Sequence, residues 1–82
     1  MNRNKPLVIR AIWDPEAEVW VATSDDVPGL ATEAHSMNAL VAKLQIMIPE
    51  LLDANGYEDV DNVPFRVLSV LQATAHRHRQ VA

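Results

Sequence analysis

Asp25 and Asp26 stand side by side in the stretch VWVATSDDVPGLATEAHS (residues 19–36), between two short apolar runs. Paired carboxylates can share a divalent metal or divide general-acid and general-base work. Neighbours on an extended segment project to opposite sides, so this pair cannot meet at one metal or one water without help. Asp14 and Glu16 belong to an earlier turn and Glu33 to a later strand, and no metal-ligand spacing links them. The expectation is therefore solvated turn residues, the ordinary use of aspartate at such places. A vestigial metal-dependent nuclease built on Asp14, Asp25 and Asp26 is the remote alternative.

The other reactive side chains offer less. His35, His76 and His78 are the histidines; His76-x-His78 could hold zinc with a third ligand, but none lies nearby in sequence. The basic run His76-Arg77-His78-Arg79 lacks the interleaved aromatics of a nucleic-acid site and reads as a solvated terminus. Ser24, Ser36 and Ser69 lack a glycine-framed elbow, and two glycines, Gly29 and Gly56, cannot build a phosphate loop. The expectation is a protein that is not an enzyme, with no cofactor and no metal. Trp20 stands out for recognition instead, since tryptophan is enriched at interface hot spots; the competing reading is an ordinary core aromatic.

These residues must be positioned by a small set of elements. Leu7 to Trp13 is apolar and rich in β-formers, Asp14-Pro15-Glu16 breaks it, and Val19 to Thr23 resumes it, which predicts a hairpin. Val27-Pro28-Gly29-Leu30 predicts a type II turn, because proline presets the first central φ and glycine accepts the positive φ of the second. A third strand, Leu30 to Ala34, follows. Ser36 suits an N-cap, and Met37, Leu40, Val41, Leu44, Met47, Ile48, Leu51 and Leu52 recur at helical spacing. Pro49 removes the backbone bond to Gln45 and predicts a kink or restart, and Asn55-Gly56 closes the helix. Val63 to Thr74 alternates as a closing strand, and 76–82 reads as a mobile tail.

The order β-β-β-α-β predicts one α+β domain: a four-stranded mixed sheet in the order 3-2-1-4, with one helix on one face. Alternation assigns Leu7, Ile9, Ala11 and Trp13, then Val19, Val21 and Thr23, then Phe65, Val67 and Leu71 to the helix side. Val8, Ile12, Trp20, Ala22, Leu68 and Val70, with Arg10 and Arg66 among them, would then form a spare apolar face. One helix cannot cover both sides, and exposed apolar faces of that size mark interaction surfaces. Trp20, Ile12, Arg66 and Leu68, with Asp25 and Asp26 as an acidic shoulder, are the candidate partner-binding residues.

With 82 residues and no cysteine, the fold rests on packing alone and would gain from a partner or a second copy, a two-fold homodimer being the commonest closed form. No apolar run reaches membrane-spanning length and the start lacks a signal-peptide core, so a cytoplasmic location is expected. Net charge is −4, and all eleven acidic residues fall between Asp14 and Asp61, where Lys43 is the only Lys or Arg. An acidic middle suits a basic protein better than a phosphate backbone.

Asp14, the Val19-Trp20-Val21-Ala22 strand, Ser24-Asp25-Asp26-Val27-Pro28-Gly29-Leu30, Ala34 and the Leu40/Leu44/Ile48-Pro49-Glu50-Leu51 helix resemble the HicB-like antitoxin family, specifically its stand-alone uncharacterised subgroup, from about Leu7 to Leu71. The resemblance implies a truncated ribonuclease-H-like fold without nuclease activity. It also implies a module that binds and occludes a small basic RNA-cleaving toxin of the HicA type. Typical members continue into a DNA-binding segment, whereas this sequence ends soon after its fourth strand, so direct DNA binding is not expected.

Overall fold

The computed structural model describes residues 5–77; His78, Arg79 and the rest of the expected tail beyond 77 lie outside them. Its elements are β1 (Leu7–Asp14), β2 (Val19–Thr23), β3 (Ala31–Ala34), α1 (Met37–Ala54) and β4 (Phe65–Val70). They form the expected α+β fold, a mixed sheet ordered β3-β2-β1-β4. β1 runs antiparallel to β2 and parallel to β4, and β3 runs antiparallel to β2. The last strand is shorter than the alternation suggests: pairing with β1 ends at Ile12–Val70, and Leu71, expected against the helix, is 55% exposed. β3 likewise begins at Ala31, because Leu30 still belongs to the turn that precedes it.

That turn is built as its residues require. Leu30 N–H donates to Val27 C=O (3.2 Å), and Gly29 sits at φ +83°, a conformation costly for any residue with a Cβ. Ser36 caps α1 by accepting the Ala39 N–H on its hydroxyl (3.1 Å). At the other end Gly56 N–H donates to Asp53 C=O and Tyr57 N–H to Leu52 C=O, a Schellman closure with Gly56 at φ +83°. Pro49 does not divide the helix, which runs from Met37 to Ala54. Gln45 is exposed, so water can take the carbonyl that Pro49 cannot serve.

Leu40, Leu44, Ile48 and Leu52 recur every four residues and form the fully buried stripe of α1. They pack with Leu7, Ile9, Ala11, Ala22, Val27, Leu30 and Ala34. Ala11 pairs with Ala22 and Trp20 with Ala34, so small residues line the sheet beneath the helix.

The faces of β2 are opposite to those expected from alternation alone. Asp14 pairs with Val19 across a four-residue connection, so an odd-numbered β1 residue stands opposite an even-numbered β2 residue. Trp20 and Ala22 therefore share the helix side with Trp13 and Ala11, while Val21 and Thr23 join Ile12 and Arg10 on the open side. Val19 is buried but outside the main cluster. The expected placement fails because loop length, not the strand's own sequence, sets this parity.

Truncation along the α1 stripe should separate its two sides. Leu44→Ala is expected to cost about 2–5 kcal/mol in denaturant unfolding. Ile46→Ala, at a position 64% exposed, should change stability by no more than about 0.5 kcal/mol.

Candidate functional site

The Ser24-Asp25-Asp26 segment begins where β2 leaves the sheet, one residue after the Arg10–Thr23 pair. On β1, Leu7 N–H donates to Pro64 C=O on the β4 side, so the backbone groups of Val8 point the other way, toward β2. No β2 backbone remains there to receive them. Side chains take over: Val8 N–H donates to Asp26 Oδ2 (2.8 Å), and Ser24 Oγ donates to Val8 C=O (2.6 Å). Asp26 N–H donates back to Ser24 Oγ (3.0 Å), closing the clamp. Ser24 and Asp26 thus extend the β1–β2 ladder by one pair while freeing the main chain to turn toward Val27, which is wholly buried.

Asp14 performs a parallel task at the other end of the hairpin. Its Oδ1 accepts N–H bonds from Glu16 (3.0 Å) and Ala17 (3.3 Å), and its carbonyl accepts Glu18 N–H (2.8 Å). Glu18 closes the connection at φ +56°. Asp14 and the Asp26 contact at Val8 lie six residues apart along β1, about 20 Å. The three carboxylates considered for a vestigial nuclease are therefore not brought together. Among the described residues no cluster of three His, Cys, Asp or Glu forms a metal site. His35 Nδ1 lies 3.2 Å from Glu18 C=O at the hairpin end, away from β4 and His76.

Of the residues expected at a partner surface, Ile12, Arg66 and Leu68 share the open sheet face, with Ile12 51% and Leu68 49% exposed. Val8, Arg10 and Val70 lie on the same side. Asp25 is exposed, and it stands apart from the clamp bonds made by its neighbours. Trp20 faces the helix side, partly buried against the core, with its ring 5.3 Å from that of Trp13 in an edge-to-face arrangement. Its expected position on the open face is thus corrected, and Val21 and Thr23 occupy that face instead. Ser24 is the residue whose role the motif reading misses. A Ser two positions before Asp at a strand end is the available signal, since both side chains readily bond local backbone.

A second surface lies around the end of α1. Leu7, Leu52, Tyr57, Val60 and Val63 line a groove together with Lys5, Glu58 and Asp59. Glu50, Asp53, Glu58, Asp59 and Asp61 are all exposed in this part of the chain.

The clamp separates the two adjacent aspartates energetically. Asp26→Ala should destabilise the fold by about 1 kcal/mol, whereas Asp26→Asn should lose less because it keeps an acceptor. Asp25→Ala should stay within about 0.5 kcal/mol. Equal losses for the two alanine variants in chemical denaturation would refute the distinction.

Comparison with known proteins agrees on the architecture. The crystal structure of a hypothetical protein from the extremely thermophilic bacterium Thermus thermophilus is similar to this chain, with 46% identity and a TM-score of 0.66, over 89% of this chain and 100% of that one. No curated protein matches. A family model described as a domain of unknown function, DUF1902, matches residues 6–79, and the chain belongs to that family.

Proposed function

We propose that this protein is a non-catalytic, cytoplasmic protein-binding module of the antitoxin type, which holds a small basic RNA-cleaving protein against its acidic surface. The observation that carries this reading is the placement of charge. Of the eleven acidic side chains, ten are exposed and Asp14 is half-buried. Glu58 and Asp59 line the groove at the α1 end, and all the acids but Asp14 present their charge to solvent.

The α1 end concentrates this charge around apolar atoms. Lysine and arginine side chains from a partner could lay their methylenes over Tyr57 and Val60 while their cationic heads reach Glu50, Asp53 and Asp61. Such a contact steers association and weakens with salt. The resemblance to HicB-like antitoxins supplies the class of partner, and the acidic surface supplies a physical reason for its basic charge. DNA binding forms no part of the proposal, because a surface this acidic repels phosphate.

A low-salt pull-down from the native host should recover a small basic protein whose ribonuclease activity the bound chain suppresses. The triple variant Glu50→Lys/Asp53→Lys/Asp61→Lys should lose that suppression while retaining its unfolding midpoint. Recovery of no basic ribonuclease, or suppression unchanged in the triple variant, would overturn the reading.

A further inference from the structure

The two edges of the sheet are built differently. β3 is four residues long. Val21 bonds toward β1, so Glu33 opposite it faces outward, and Lys43 Nζ from α1 donates to the Glu33 carbonyl. Short length, charge and a covering side chain are the usual guards against pairing with another chain. β4, the other edge, lacks them: residues 67–75, VLSVLQATA, contain no charge, proline or glycine. α1 lies nearest β3 and β2, and Ser69 is exposed on the side of the sheet that carries the helix. Leu68 (49%), Val70 (58%) and Leu71 (55%), three of the large apolar residues exposed among the described ones, are gathered here. The backbone phase is also fixed. Leu7 N–H donates to Pro64 C=O, so the even-numbered residues of β4 bond β1, while the backbone groups of Phe65, Val67 and Ser69 point outward.

We propose that the β4 edge pairs antiparallel with the β4 edge of a second copy of this chain, about a two-fold axis through Ser69 and perpendicular to the sheet. The edge's own sequence selects a second copy, because it is complementary to itself when inverted. With Ser69 opposite its counterpart, Leu68 stands against Val70 of the other copy, Val67 against Leu71, Phe65 against Ala73 and Arg66 against Gln72. Each exposed apolar side chain of the edge then meets another at cross-strand spacing, and no like charges face each other. An axis on Arg66 would instead set two guanidiniums together. The backbone phase agrees: an axis on Ser69 makes the odd-numbered residues the hydrogen-bonded pairs, and theirs are the groups that point outward. The same axis gives residues 71–73 a partner. They keep the alternation of the strand, but pairing with β1 ends at Val70, and the inverted copy supplies 65–67 opposite them. The product is a single continuous sheet with both helices on one side and every β1–β4 bond retained.

The contact leaves the acidic α1 end free, so it fails separately from the antitoxin reading. Sedimentation of the full chain should show a dimer at micromolar concentration. Ser69→Pro removes an outward N–H and spares the bonds to β1, so it should weaken dimerisation by about tenfold or more with the circular dichroism unchanged. Leu68→Lys/Val70→Lys and Leu68→Glu/Val70→Glu change positions already about half exposed. Each should be monomeric alone, since residue 68 of one copy faces residue 70 of the other, and mixing the two should restore a dimer. A wild-type chain that stays monomeric at high micromolar concentration overturns the proposal and leaves the edge to a strand of another protein. A dimer that survives Ser69→Pro or the lysine variant overturns it too, as does a mixture that remains monomeric.

Discussion

The pairing of Asp14 with Val19 governs more of this molecule than any other contact. Four residues connect the two strands, and a connection of that length decides which side of the sheet each β2 side chain occupies. Trp20 and Ala22 go beneath the helix; Val21 and Thr23 go to the open side. Asp14 enforces the geometry by taking the Glu16 and Ala17 amides on its carboxylate and the Glu18 amide on its carbonyl. The small Ala11–Ala22 pair can then lie under α1, where Leu40, Leu44 and Ile48 fill the space. One turn thereby couples the core on one face to the composition of the other.

Much of the fold is legible because its signals are local. Pro28-Gly29, Ser36 and Asn55-Gly56 each announce a specific backbone geometry, and each is found performing it. Sheet order follows from three short strands and one crossover. Less legible is anything that depends on counting through a loop. Val19 to Thr23 alternates equally well in either phase, since Val19, Val21 and Thr23 are as β-compatible as Trp20 and Ala22. Only the partner strand distinguishes the phases. The end of β4 is obscure for a related reason: residues 71–74 keep the alternating pattern, but pairing with β1 stops at Ile12–Val70.

The candidate surface is legible only in part, on the same physical grounds. Ile12, Leu68 and Arg66 fall on the open face as expected, because β1 and β4 alternate without interruption through their paired segments. Trp20 does not, because of the loop parity. Asp26 is a turn residue as its neighbours suggest, yet its bond to Val8 spans eighteen positions in the chain and cannot be inferred from them. A similar chain from an extremely thermophilic bacterium shares this architecture.

The Ser24–Asp26 clamp bears on how paired acids at a strand end are interpreted. A carboxylate beside a strand end invites comparison with an ancestral nuclease, as though its persistence recorded lost catalysis. Here Asp26 substitutes for a missing stretch of main chain, completing the hydrogen bonding of Val8 after β2 has departed. The acid is therefore accounted for by the backbone it serves, with no catalytic role needed to explain it. The pair Asp25-Asp26 therefore holds two residues with separate tasks: one turned to whatever the surface meets, the other tied to the backbone it completes.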